Sequence, residues 1–110
     1  MAKGDIFVSS GVSVNSGGDF IVTAAASETG AIEVNTVSTT GGADVFEERD
    51  TTGDGTFDVS FLVESQDGAF HSQKNKLQAD ESFNQRIRVE NTGNSSIDVQ
   101  VTGTEVFSRG

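Results

Sequence analysis

Cysteine, proline, tryptophan and tyrosine are all absent from the 110 residues, and histidine and methionine occur once each. Without cysteine there are no disulfides, no thiolate metal sites and no cysteine nucleophile, and the redox compartment leaves no mark on the sequence. A single histidine cannot build a zinc site of the usual histidine-rich kind. Bases are scarce too: seven Lys and Arg stand against seventeen Asp and Glu, a net charge of −10. Binding a polyanion begins with clustered bases that neutralise phosphates, so no nucleic-acid partner is expected. The longest apolar run, "FIVTAAA" at residues 20–26, is far too short to span a bilayer. The start, "MAKGDIFVSSG", has no apolar stretch of signal-peptide length. A soluble chain without membrane insertion or Sec export is the expectation.

What the sequence does have is glycine, serine, threonine and eight phenylalanines. Apolar residues alternate with polar ones, and no window sustains a helical stripe. The pattern predicts strands at Ile6–Val14, Asp19–Ala26, Ala31–Ser38, Ala43–Asp50, Thr56–Glu64, Ser82–Asn91 and Ile97–Phe107. Turn clusters such as "NSGG", "TTGG", "TTGDG" and "NTGNSS" separate them. One all-β domain over 1–110 follows, an antiparallel β-sandwich of about seven to eight strands, immunoglobulin-like or jelly-roll-like. In "TFDVSFLVE" Phe57, Val59, Phe61 and Val63 are expected to face the core, with Asp58, Ser60, Leu62 and Glu64 outside. In "SIDVQVTG" Ile97, Val99 and Val101 face in. Residues 69–81, "AFHSQKNKLQADE", break the alternation and read as a long polar connection. Six phenylalanines (7, 20, 46, 57, 61 and 83) fall in or at the start of strands and read as core, which leaves Phe70 and Phe107 as the exposed pair.

The closing segment "LQADESFNQRIRVENTGNSSIDVQVTGTEV", residues 77–106, resembles the end of immunoglobulin-like domains common in archaeal and bacterial surface and virion proteins. Those domains run "L-x-x-x-E-S", an alternating strand, "V-x-N-T-G-N" and a second alternating strand. The resemblance covers under a third of the chain. It implies the sandwich, and binding or structural roles in place of an activity. The acid-rich, lysine-poor composition in turn resembles proteins of salt-loving microbes. At about 1 M salt the Debye length shrinks to about 3 Å, which screens repulsion among carboxylates.

"RDTTGDGTFD", residues 49–58, is the one stretch that looks like a metal loop. Counted as an EF-hand from Asp50, it offers oxygens at Asp50, Thr52, Asp54, Thr56 and Asp58 with Gly55 at the sixth position, but the twelfth is Phe61, not a bidentate Glu. A hairpin turn with Gly53 and Gly55 at positive φ is the simpler reading. A weak calcium or sodium site is the alternative, and no other cofactor is expected. No enzyme apparatus stands out. His71 lacks a nucleophile elbow, carboxylate pairs are too abundant to single one out, and the Gly-rich stretches lack a phosphate loop's lysine and helix. Sugar binding in sandwiches usually uses Trp or Tyr platforms, and neither exists here. The sequon at Asn94 lies in an expected turn, where it would be exposed.

Charge is uneven along the chain. Residues 1–70 hold twelve acids against Lys3 and Arg49, whereas 71–110 hold five of each sign. His71, Lys74, Lys76, Arg86 and Arg88 concentrate in a short stretch. With Phe70 and Phe107 they form the expected subunit interface of a symmetric homo-oligomer, a trimer or pentamer. Together these features point to a non-enzymatic structural protein, a virion component such as a capsid decoration, turret or tail-associated subunit of a halophile's virus. Its partners would be other virion proteins and copies of itself. The alternative is an immunoglobulin-like adhesion or glycan-binding module on a halophilic cell surface.

Overall fold

The computed structural model describes residues 6–8, 12–23, 30–67, 70–81 and 84–107, with side chains described for 12–23, 30–65, 77–81 and 84–107. Among the described residues nine strands form, all paired antiparallel: β1 (Ile6–Val8), β2 (Val12–Val14), β3 (Asp19–Val22), β4 (Gly30–Thr39), β5 (Gly42–Arg49), β6 (Val59–Asp67), β7 (Phe70–Asp80), β8 (Gln85–Asn91) and β9 (Ile97–Phe107). The hydrogen-bonded order is β1-β9-β4-β7-β8-β5-β6, with β2 also on β9 and β3 also on β8. The first layer is β1/β2-β9-β4-β7 and the second is β3-β8-β5-β6. A single pair, Asp80 with Gln85, carries the ladder from β7 into β8. Valines, isoleucines and alanines from both layers meet in one core, among them Val34, Val37 and Val101 of the first layer and Val22, Val45 and Ile87 of the second. This is the expected antiparallel sandwich, with extents of 38 × 30 × 22 Å. Each buried valine or isoleucine contributes about 1.5–3 kcal/mol.

Two strands exceed the expectation. The stretch from Ile6 to Val14 is two short strands, both laid on β9. Residues 70–80 are strand β7 and not a polar connection. Their alternation breaks because the ladder does. Leu77 pairs with Val34 and Ser72 with Thr36, so residues 73–76 stand against Asn35 alone. An inserted segment resets the period-two pattern, and a reading by periodicity sees a loop. The same irregularity of β4 reaches β9, where Val34 pairs with Gly103 and Thr36 with Thr102. A Cβ at Gly103 would overlap the Glu33 carbonyl oxygen, so only glycine fits where the two backbones close up.

Among the described side chains the fully buried core is aliphatic, which corrects the expectation for Phe46, Phe57 and Phe61, while the side chains of Phe7 and Phe83 lie outside the described residues. No phenylalanine is among the fully buried described residues. Phe20 packs against the core part-buried, Phe46 and Phe57 are half-buried, and Phe61 is 65% exposed. Phe107, as expected, is exposed, at 62%. Phe61 was misplaced because β6 is the outermost strand of its layer and pairs only with β5 among the described strands. Alternation tells which face a residue takes, but not whether anything covers that face. A register shift between Val45 and Phe46 in the β5–β6 ladder moves β6 further out of phase. Ile97, Val99 and Val101 are buried as expected.

One row of pairs crosses both layers: Val106, Ala31, Asp80, Gln85, Arg49 and Val59. It marks the end of the sandwich from which the Asp50–Asp58 loop projects. At the opposite end the turns after β2, β4 and β8 gather.

Candidate functional site

The β5–β6 connection carries the expected ion ligands. Asp50 is 5% exposed, and its carboxylate faces into the loop's own backbone. Its Oδ1 accepts from Gly53 N at 2.8 Å, Thr52 N at 3.2 Å and Thr52 Oγ1 at 3.3 Å, and its Oδ2 accepts from Gly55 N at 2.8 Å. Burial pushes the pKa up, but the N–H groups of Gly55, Gly53 and Thr52 outweigh it and hold the carboxyl below the ordinary aspartate value. Asp54 accepts from Thr56 N at 2.9 Å. Asp58 accepts from Thr51 N at 2.8 Å and from the Thr51 hydroxyl, bonds that lower its pKa as well. Gly53 and Gly55 take φ of 73° and 86°, the left-handed conformations the turn requires. The carboxylates of this loop thus act as its internal caps. Among the described residues, no three His, Cys, Asp or Glu converge as a metal site.

The expected interface residues lie on three strands, β7, β8 and β9. Phe70, His71, Lys74 and Lys76 lie on β7, and their side chains are outside the described residues. Arg86 and Arg88 stand on the outer face of the second layer, where cross-strand pairing sets them beside Glu48 and Phe46 of β5. Glu48 Oε1 accepts from Arg86 Nε at 2.9 Å and Nη2 at 2.8 Å. Its Oε2 accepts from Arg88 Nε at 2.8 Å and Ser60 Oγ at 2.9 Å. Arg88 Nη1 reaches on to Asp19 at 3.0 Å and Glu90 at 3.4 Å. The Arg86 guanidinium lies 3.8 Å from the Phe57 ring centre and that of Arg88 lies 4.2 Å from Phe46. Two stacked pairs therefore roof Glu48, only 5% exposed although it sits on an outer face. Burial raises its pKa, and the bonds from Arg88, Ser60 and Arg86 bring it below the ordinary value. Sequence alone showed the two arginines at alternate positions but not their partner, since Glu48 is about forty residues away.

At the opposite end, Asn91 of the "VENTGNSS" motif is 1% exposed. Its Nδ2 donates to Val14 O at 3.0 Å and Ser95 O at 2.8 Å, and its Oδ1 accepts from Gly93 N at 2.9 Å. Ser16 Oγ donates to Gly93 O at 2.6 Å, and Ser96 Oγ to Asn15 Oδ1 at 3.1 Å. The motif is thus a stitch between two turns, one in each layer crossing. Asn94, at the tip, is exposed as expected.

A further concave feature among the described residues is a cleft of about 220 Å³ where β5 and β6 open toward the Asp50 loop. Glu47, Glu48, Arg49, Thr51 and Gln85 line it with Val59 and Phe61. Sequence reading missed it, because Phe61 was assigned to the core. The signal that could have found it is the adjacency of Phe61 and Leu62, since two successive strand residues cannot both face inward.

No family model matches the chain. It is similar to Gp30 of Haloferax tailed virus 1, with 36% identity over 80 residues that cover 70% of this chain and 68% of Gp30.

Proposed function

The chain belongs to the family of this haloarchaeal tailed-virus protein, and from that premise we propose that it is a non-enzymatic structural component of the virus particle. The relationship to Gp30 carries the reading, because it extends over most of both chains. The fold supports it: a two-layer sandwich in which the Asp50 carboxylate holds a turn and Glu48 ties strands together through Arg86 and Arg88. A capsid decoration, turret or tail-associated subunit is the role that suits such a unit, with copies of itself and other virion proteins as partners in a trimer or pentamer. Particles purified from a culture that produces this protein test the reading. Mass spectrometry is expected to find the chain in them at a fixed ratio to the main capsid protein. Presence in the cell lysate alone would refute it.

Seventeen carboxylates on a small fold suit concentrated salt. The thermal midpoint is expected to climb from about 0.1 M to about 2 M KCl as their repulsion is screened. A flat or falling midpoint would detach the acidity from salt adaptation.

A further inference from the structure

We propose that the cleft between β5 and β6 is a carbohydrate subsite that takes one uncharged pyranose ring. The inference goes beyond the particle assignment and does not depend on it. Phe61 presents its ring at the cleft with 65% of its surface exposed, on a strand that pairs only with β5 among the described strands. Val59 extends this apolar floor, and Gln85, Thr51, Glu47 and Arg49 surround it with donors and acceptors. An aromatic floor with a polar rim matches a pyranose, which has an apolar C–H face and hydroxyls at its edge. The electron-rich face of the phenyl ring favours the polarised C–H groups.

Size and charge narrow the ligand class. A volume of about 220 Å³ is below the roughly 300–1,000 Å³ of pockets for drug-sized ligands, and it suits a single ring. Within the lining Glu47 offsets Arg49, while Glu48 is held by Arg86 and Arg88, so the cleft offers no net cation to an anionic ligand. The chain's charge of −10 disfavours anions further. In brine, ion pairing with solvent-exposed groups is screened within about 3 Å, whereas apolar contact is not weakened. A neutral sugar held by stacking and hydrogen bonds is the ligand whose affinity survives there.

Saturation-transfer NMR in about 2 M KCl, with methyl glycosides of glucose, galactose, mannose and N-acetylglucosamine as probes and glucuronate alongside, tests this. At least one neutral glycoside is expected to receive saturation at its ring C–H protons. Phe61→Ala should weaken that binding about five-fold or more, the scale of one aromatic contact, and Gln85→Ala should weaken it also. Phe107→Ala, which removes an equally exposed ring outside the cleft, should leave it unchanged. Because Phe61 is mostly exposed, its truncation should keep the fold, and an unshifted thermal midpoint verifies that. Transfer to no glycoside, persistence in Phe61→Ala, equal loss in Phe107→Ala, or preference for glucuronate would each overturn the proposal. None of these outcomes bears on whether the chain is found in particles.

Discussion

Asn91→Ala is expected to lower the folding stability by about 3 kcal/mol, the largest effect of any single polar truncation in the described fold. The carboxamide is buried and uses both its ends. Alanine would leave Val14 O, Ser95 O and Gly93 N without the bonds they make now. Each buried group left unpaired costs about 1–3 kcal/mol. The loss should also be structural, since this side chain ties the β8–β9 turn to β2 and so helps set how the two layers meet at that end. Asn91→Asp should cost about as much, because it turns two donors into acceptors facing carbonyl oxygens. Asn94→Ala, three residues on in the exposed turn, should stay within about 0.5 kcal/mol. Urea unfolding of the three variants checks the ranking. A small effect at Asn91, equal to that at Asn94, would show that the turn stands without the stitch.

The second large effect is at Glu48. Removing its carboxylate takes the shared partner from Arg86 and Arg88 at once and leaves Arg88 only its contacts with Asp19 and Glu90. Breaking a buried pair costs about 3–5 kcal/mol, but both guanidinium groups keep some access to water, 26% and 18% of their side chains, so Glu48→Ala should cost about 2–3 kcal/mol. For a chain of this size that lowers the thermal midpoint by roughly 10–20 °C. Because Glu48 is enclosed, the loss should be nearly the same at low and high salt, unlike the surface repulsion that salt screens. Its pH dependence has a definite sign. Folding holds the Glu48 carboxyl below its ordinary value, so protonation favours the unfolded chain. The contribution is complete above the ordinary glutamate range and fades as pH falls through the lowered folded-state value. The gap in midpoint between the wild-type protein and Glu48→Gln should therefore be wide at neutral pH and narrow in acid. Asp50 and Asp58, lowered in the same direction, give both proteins a residual acid slope. A gap independent of pH would mean that Glu48 matters for its packing and not for its charge.

Much of this protein was legible in its residues. Strict alternation at Ile97–Val101, turn clusters between strands and the lack of any helical stripe determine an antiparallel all-β chain, because period two is a property of the extended backbone itself. Acidity and the scarcity of lysine are composition, and composition was enough to anticipate a salt-loving setting, which fits the relationship to Gp30 of Haloferax tailed virus 1. The glycines of the Asp50 loop likewise declared its turn, since positive φ is a local demand. What only the tertiary structure decided depends on distant neighbours. Whether Phe61 is core or surface rests on β6 lying at a sheet edge. Whether residues 70–80 are strand or loop rests on β4 accepting an interrupted ladder. Glu48 becomes the hub of two arginines, and Asn91 the tie between two turns, only once β5 lies beside β8 and β2 beside β9. Periodicity reports the direction of each side chain along its own strand; burial and pairing are set by the strand order, which no local pattern encodes.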